Sequence, residues 1–215
     1  MTYLELVNGV LRRLRENEVA TVTENSYSCL VGDLVNDAKV LVENAWDWSA
    51  LRQTISIATV NGTKNYSLTG TGWKGKRLNV INDTSNLVMD YRSSDWFDEQ
   101  YFIGTPVSGA PRHYTYGEVD SNGDQTIDLY PLPDGVYTIR FDAVVRNTAM
   151  TSGSDILDIP DQPVLHLAVA LASRERGETG GTSTAEYFKI ANQYLTDAIA
   201  IDAATHPEEM IFYVV

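Results

Sequence analysis

Four side chains between Asp120 and Asp128 have the atoms and the spacing of metal ligands. Asp120, Asn122 and Asp124 alternate along the chain, and Asp128 follows after three further residues. Carboxylate and amide oxygens at the first, third, fifth and ninth positions are the pattern of an EF-hand calcium loop. Calcium binding is therefore the first chemistry to consider.

Two positions that an EF-hand loop requires hold unsuitable residues. The sixth, where the loop needs glycine, is Gln125, and the twelfth, where a bidentate glutamate closes the coordination sphere, is Pro131. The flanking segments also have the pattern of strands rather than helices. We therefore interpret the stretch as a solvated turn at Asn122-Gly123, whose acidic and amide side chains cap backbone N–H groups, and we predict no metal and no other cofactor.

Side chains capable of nucleophilic or acid–base catalysis are scattered along the sequence. His113 lies in a strand pattern, His166 in an apolar helix pattern, and His206 directly before a proline, with no arrangement that supplies a nucleophile and its base. We interpret His166 as a core or interface residue whose polar groups are satisfied, and Cys29 as a buried inert thiol. The sequence predicts a protein that is not an enzyme.

Three alternating segments surround the acidic turn and should position it. Residues 114–116, 126–130 and 137–145 carry apolar side chains at every second position, which puts one face of a strand on a core and the other in water. The connections Asn122-Gly123 and Asp134-Gly135 tolerate the positive φ angles of tight hairpins. The simplest prediction is a three-stranded antiparallel meander.

Composition limits the class of protein. Of the 215 residues, 43% are hydrophobic, which predicts a soluble globular chain. No segment approaches the roughly 20 apolar residues of a membrane span, and the first residues lack the pattern of a signal peptide, so synthesis and residence in a cytoplasm-like compartment are expected. The net charge of −13 argues against tight binding of nucleic acid, because phosphates require clustered lysine and arginine.

The acidity is concentrated at the two ends of the chain. Residues 1–50 contain 8 acidic and 4 basic side chains, residues 51–150 contain 11 and 9, and residues 151–215 contain 10 and 3. The net charges of the three segments are therefore −4, −2 and −7. This grouping indicates that the two ends form one chemically distinct part of the protein.

Helical periodicity marks the same two ends. Thr2 and Glu5 form a capping box before a first helix, which is predicted to end near Asn17. A second, longer helix follows a cap at Thr21 or Thr23.

The second helix closes at Trp46 and Trp48, which we interpret as core residues that seal a junction, rather than as a ligand platform. Pro163 suits the first turn of a third helix, and its residues Val164–Ala172 are apolar on almost every side, which is typical of a helix central to a core. A fourth, amphipathic helix follows. Its apolar positions are Tyr187, Phe188, Ala191, Tyr194, Leu195, Ala198, Ile199 and Ile201.

Between the helical ends, residues 51–150 alternate as short strands separated by turns, with one short helix capped at Ser94. The predicted fold is therefore α+β. An antiparallel helical bundle is built from residues 1–50 and 151–205, and the β-rich domain inserted between them contains the meander. Residues 206–215 form a C-terminal arm.

The arm ends in six consecutive apolar residues. Pro207 breaks the preceding helix, and Glu208 and Glu209 keep the start of the arm soluble. Such a segment invites strand pairing, so it must be covered, either by its own bundle or by a neighbouring chain to which it adds a strand. The predicted partner-binding residues are Met210, Ile211, Phe212, Tyr213, Val214 and Val215.

Several short motifs occur in order along nearly the whole chain. They are Trp46–Leu51, Gly109–Arg112 with Tyr114, Leu129–Pro133 and Leu157–Ala172. In their order and spacing the chain resembles the head-to-tail adaptors of short-tailed bacteriophages, the tail tubular protein A family.

The resemblance implies a structural role in the virion, at the junction of head and tail. It implies a homo-oligomeric ring, commonly of twelve copies, between the portal protein and the tail nozzle protein, with DNA passing through it without specific binding and with no membrane involved. The arm would then bind the portal or a neighbouring subunit. Another class stays open, because 12 tyrosines and 4 tryptophans also suit a carbohydrate- or receptor-binding tail component.

Overall fold

A computed structural model describes residues 1–72, 76–177 and 182–205 of the chain. The chain divides into two units, one formed by Met1–Ala50 and the chain from Thr148 onward, the other by Leu51–Asn147. The described residues form five α-helices and two four-stranded β-sheets, so the predicted α+β class is confirmed.

The first helix, α1, spans Tyr3–Arg13 and begins at the predicted capping box. The hydroxyl of Thr2 accepts the backbone N–H of Glu5 at 3.2 Å, and the Glu5 carboxylate accepts the N–H of Thr2 at 2.8 Å. The helix ends before the predicted Asn17. The backbone then enters the left-handed region at Arg15, where φ is 61°.

The second helix, α2, spans Ser26–Ala45 and begins later than predicted. Its cap is Asn25, not Thr21 or Thr23. The Asn25 side chain accepts the N–H of Ser28 at 2.8 Å, and the Ser28 hydroxyl accepts the N–H of Asn25 at 3.1 Å. An amide and a hydroxyl thus form the reciprocal pair that the sequence pattern associates with threonine and glutamate.

Two more long helices complete the helical unit, α4 over Asp161–Glu175 and α5 over Thr182–Thr205. α4 contacts α1, α2 and α5, and Pro163 lies in its first turn, as predicted. Buried side chains occur all around α4, so this helix is the centre of the unit's core. They are Pro163, Val164, Leu165, Ala168, Val169, Ala170, Leu171, Ala172 and Ser173.

Direct bonds join the two halves of the helical unit across the inserted residues. The N–H of Tyr3 donates to the carbonyl of Asp155 at 2.8 Å. On α2, the side-chain amide of Asn36 donates to the carbonyl of Met150 and accepts the N–H of Met150, both at 3.0 Å. Segments far apart in sequence are therefore held together by backbone groups as well as by apolar burial.

Strands make up most of the unit Leu51–Asn147. They are β1 Arg52–Ala58, β2 Asn65–Ser67, β3 Lys76–Asn82, β4 Leu87–Val88, β5 Asp90–Tyr91, β6 His113–Val119, β7 Gln125–Tyr130 and β8 Thr138–Val144. One sheet has the order β1-β8-β3-β4 and the other β2-β7-β6-β5. All neighbouring strands are antiparallel except β5 and β6, which are parallel.

The two sheets share one hydrophobic core. The first sheet contributes Val80, Ile139 and Phe141, and the second contributes Ile127 and Leu129. All five are at most 1% exposed. Side chains from both inner faces therefore interlock, as in a β-sandwich.

The predicted three-stranded meander is wrong in its third strand. β6 and β7 do form a hairpin around Asn122-Gly123, but β8 pairs with β1 and β3 in the other sheet. Pro131 follows β7 directly and Pro133 comes two residues later. Neither has an N–H to donate to a continuing ladder, so the chain crosses between sheets instead of turning back at Asp134-Gly135. The alternation of β8 still places Ile139 and Phe141 on the core, because alternation determines the buried face and not the neighbouring strand.

The short helix α3, Ser94–Asp98, is capped by Ser93 rather than by the predicted Ser94. It continues as a π-helical turn over Glu99–Ile103, and Gly104 follows its end as predicted. The ring of Trp96 makes an edge-on contact with Tyr130 of β7, 5.2 Å between centroids. The helix therefore lies on the second sheet.

We expect residues 51–147 expressed alone to fold and to unfold cooperatively, because their core is complete within the described strands. In this fragment Phe141→Ala should lower the free energy of unfolding by about 3–5 kcal/mol through the cavity it leaves. The matched change Val136→Ala, at an exposed position, should stay within about 0.5 kcal/mol. Denaturant unfolding measures both, and a fragment without a cooperative transition would show that the units depend on one another.

Candidate partner-binding surfaces

The six predicted partner-binding residues lie outside the described part of the chain. Met210, Ile211, Phe212, Tyr213, Val214 and Val215 follow α5, whose last described residue is Thr205. What the structure shows is the root of the arm, meaning the last turn of α5 and the residues that hold it.

A single carboxylate fixes this root. Asp202 accepts the indole N–H of Trp46 at 2.9 Å and both the backbone N–H and the hydroxyl of Ser49, at 3.2 and 2.5 Å. Ser49 begins the short 3₁₀ turn that follows α2. Three donors on one ionised group form strong, charge-assisted hydrogen bonds, so the end of α5 is held against the end of α2.

Sequence reasoning missed Asp202, although one signal was available. An acidic side chain in the last turn of a helix meets the negative end of the helix dipole, which is unfavourable unless other donors compensate. The donors from Trp46 and Ser49 provide that compensation. An acid in this position therefore indicates a bonded carboxylate.

The two tryptophans of the junction have different roles. Trp48 is 1% exposed, and its indole N–H donates to the carbonyl of Val42 at 2.8 Å, which fits the predicted core role. Trp46 is 37% exposed, so the prediction that it is a core residue is wrong. Its ring is held by one hydrogen bond to Asp202, and part of its apolar surface faces solvent.

Other apolar side chains of α2 and α5 are also exposed. Ile201, directly before Asp202, is 70% exposed, and Leu41 of α2 is 52% exposed. Tyr194 is partly exposed as well, whereas Ala191 is buried. The predicted apolar stripe of α5 therefore has one side against α4 and leaves apolar surface uncovered near the root of the arm.

His166 lies on α4 against Tyr194 of α5. Their rings are stacked with centroids 4.4 Å apart and an angle of 9° between the planes. Burial, followed by the nearby positive charge of Arg13, lowers the pKa of His166. The neutral imidazole thus serves as a flat packing surface, in agreement with its predicted core or interface role.

The other histidines and the cysteine are also candidate reactive residues in the sequence. His113 packs edge-on against Trp96 at 5.1 Å, and burial lowers the pKa of His113. Cys29 is half-buried, not buried as predicted. His206 lies outside the described residues.

The acidic turn uses its carboxylates on backbone N–H groups. Asp120 accepts the hydroxyl of Ser67 and the N–H groups of Asn122 and Asp124, at 2.8 and 3.0 Å from the two nitrogens. These bonds, the one from Ser67 foremost, lower the pKa of Asp120. Within residues 1–72, 76–177 and 182–205, no group of three or more His, Cys, Asp or Glu side chains is arranged to hold a metal ion.

Asp124 ties this turn to a glycine-rich segment. One of its oxygens accepts the N–H groups of Gly70 and Gly72, at 3.1 and 2.9 Å. Both glycines have positive φ, 87° and 58°, which other residues adopt at a cost. The carboxylate therefore stabilises a backbone conformation that the sequence pattern alone does not reveal.

A second exposed apolar surface lies after α3. Phe102 is 74% exposed, Ile103 85% and Val107 56%. The ammonium of Lys64 lies 5.1 Å from the ring centroid of Tyr101 and 5.5 Å from that of Phe102. Tyr101 anchors the segment, because its hydroxyl donates to the carbonyl of Leu129 at 2.6 Å.

Comparison with known proteins identifies the family. The model of the SU10 adaptor protein family matches residues 1–210 of the 215-residue chain. The chain belongs to the SU10 adaptor family. This agrees with the resemblance to phage head-to-tail adaptors, and it makes the protein a structural component of a virion. The comparison with curated proteins found no match.

Membership in an adaptor family indicates that exposed surfaces of this protein take part in protein–protein contacts, since an adaptor must contact other proteins. Among the helices that the structure describes, none has both the length and the apolarity to cross a bilayer. Because an adaptor contacts portal and tail components, the uncovered side chains around Trp46, Ile201 and Phe102 are candidates for such contacts.

We expect Asp202→Ala to destabilise the adaptor by about 1–3 kcal/mol, because Trp46 and Ser49 lose their acceptor. Asp197→Ala, an exposed acid on the same helix, is the control and should change stability by less than about 0.5 kcal/mol. Denaturant unfolding followed by tryptophan fluorescence measures the difference, with Trp46 as a direct reporter. Equal stability of the two variants would contradict the proposed anchoring of α5.

The lowered pKa of Asp120 predicts a dependence of stability on pH. Because its pKa is below the ordinary 3.8 in the folded state, the carboxylate stabilises the fold above that pH, and the contribution is lost as pH falls through the folded value. The variant Asp120→Asn should therefore melt at a lower temperature than the parent at pH 7, with the gap closing toward pH 2. Asp98→Asn, at an exposed carboxylate without a capping bond, is the control. A gap for Asp120→Asn that is constant with pH would refute this explanation.

Proposed function

We propose that this adaptor forms a ring, of twelve copies, that joins the portal to the tail nozzle and encloses the channel through which DNA leaves the capsid. The observation that carries the proposal is the family match over residues 1–210, which spans both structural units. The order of motifs along the chain supports the same role.

Within each copy, residues 1–50 and 151–205 form an antiparallel helical bundle, and residues 51–150 are a β-rich domain inserted into it. Contacts of α4 with α1, α2 and α5 support this arrangement, because they bring helices from both ends of the chain to one core. The anchoring of α5 through Asp202 supports it further.

The charge of the adaptor suits a channel that DNA must traverse. The chain carries 29 acidic against 16 basic residues, and the helical ends have the greatest excess of acid. Negative surfaces repel phosphates, so DNA passes without being held. The ring therefore encloses DNA without specific binding.

The C-terminal arm supplies the contact with a partner, either the portal or a neighbouring subunit. Its apolar residues Met210–Val215 follow a helix end that Asp202 holds in place, so the arm starts from a fixed point. Exposed Ile201 and Trp46 beside this point extend the apolar contact surface. A partner that covers the arm covers these side chains too.

Removing residues 208–215 should leave the helix content unchanged and abolish joining to the portal. Mass measurement of the purified adaptor mixed with portal protein tests this, and the expected result is a ring complex for the parent chain and none for the shortened one. The double change Glu208→Gln with Glu209→Gln, which keeps the apolar residues, is the control and should still assemble.

Two outcomes would contradict the proposed role of the arm. One is unimpaired assembly of the shortened chain, and the other is loss of its monomer fold. A small oligomer that binds host glycan and no portal protein would instead support the alternative of a receptor-binding tail component.

A further inference from the structure

The β1 edge, meaning the side of β1 that faces away from β8, is the longest regular edge among the described strands. β1 pairs with β8 in unbroken register from Arg52 to Ala58, and no described strand pairs with its other side. The other end of this sheet is less regular, with a shift in register between Arg77 and Asn79 and only the two residues of β4 beyond. Long flat edges are usually covered, because they readily accept another strand.

The register shows which backbone groups the β1 edge presents. The carbonyl of Leu51 accepts the N–H of Val145, and the N–H of Thr59 donates to the carbonyl of Tyr137. In an antiparallel ladder such bonded positions alternate with outward-facing ones. The N–H and C=O groups of Arg52, Thr54, Ser56 and Ala58 therefore point away from β8.

The edge has a defined end and an incompletely covered apolar side. At Val60 the hydroxyl of Tyr66 accepts the backbone N–H and donates to the carbonyl, at 2.9 and 3.1 Å, so pairing stops there. Ile55 and Ile57 pack against the hydrophobic core but are only partly buried. An added strand with apolar side chains on the same face would complete their burial.

The C-terminal arm has the properties of such a strand. As a strand, its six apolar residues, Met210–Val215, would span about 20 Å, and the seven residues of β1 span about 23 Å. Ile211, Tyr213 and Val215 share one face of an extended segment, as Ile55 and Ile57 do on β1. The four residues 206–209 provide a spacer of about 13 Å after α5.

A donor segment and an acceptor edge that are different parts of the chain define a heterologous interface. Contacts of that type, in which each copy gives to the next and receives from the previous one, form a ring when the rotation between copies closes. We propose that Met210–Val215 of one copy adds as a strand to the β1 edge of the neighbouring copy. This inference rests on the proposed ring and names the acceptor of its arm.

Residue-resolved hydrogen exchange tests the proposal on the assembled full chain. Amides of Thr54, Ser56 and Ala58 should exchange at least tenfold faster when residues 208–215 are removed, because they lose their acceptors. Amides of Gln53, Ile55 and Ile57 bond to β8 and serve as controls within the same strand. Equal exchange of the outward amides in both proteins overturns the proposal.

A substitution gives an independent test. Ser56→Pro removes one outward N–H without removing a bond to β8, and proline is tolerated at such edge positions. It should weaken ring formation at least tenfold, whereas Ser56→Ala, which keeps the N–H, should not. Unchanged ring formation by a folded Ser56→Pro protein also contradicts the proposal.

A mixture of two cysteine variants shows which chain the arm reaches. One carries Ser56→Cys and the other Val214→Cys, both with Cys29→Ser. A disulfide that joins the two variants is expected in assembled rings, and rings that contain no such disulfide overturn the assignment to a neighbour. Val88→Cys, on the opposite edge of the sheet, replaces Ser56→Cys as the control.

Failure of the proposed strand addition can be distinguished from failure of the proposed adaptor function. Rings that join portal protein but show no exchange difference at the β1 edge leave the adaptor role intact and reject the strand exchange. A chain that neither forms rings nor binds portal protein rejects both.

Discussion

Burial of α4 on all its sides is the constraint on which the helical unit depends. Val164, Ala168 and Ala172 are fully buried, and small alanines allow neighbouring helices to approach closely. A helix that is apolar on every side must be covered by other helices on every side. The chain supplies these helices from both of its ends, because α1 and α2 precede the β-rich unit and α5 follows α4. The residues between must therefore leave this core and return to it.

The β-rich unit satisfies this requirement through its first and last strands. Arg52 at the start of β1 lies opposite Val144 at the end of β8, and the carbonyl of Leu51 accepts the N–H of Val145 at 3.0 Å. The chain thus enters and leaves the unit at one place. The entropic cost of holding the two ends of a long insertion together rises only slowly with its length. An insertion of this size therefore lowers the stability of the helical core only slightly.

Much of the element structure could be predicted from the sequence, while strand partners could not. The Thr2 capping box and the apolar run of α4 depend on neighbouring residues, and local physics decides them. The partner of β8 depends on Pro131 and Pro133 ending one ladder, and alternation carries no information about that choice. An acid in the last turn of α5 signals that Asp202 is bonded, but its partner Trp46 could not be predicted, because the bond joins residues separated by most of the chain. The candidate arm was visible in the sequence only as an uncovered apolar segment.

Pairing of the first and last strands also determines how the β-rich unit carries tension. Force applied through residues 50 and 148 acts on adjacent ends of an antiparallel pair, so it loads the bond between Leu51 and Val145 first and the remaining ladder bonds one after another. Ladder bonds loaded in sequence yield at lower force than bonds sheared together. A force that separates these two ends therefore opens the ladder of β1 and β8 from this junction first.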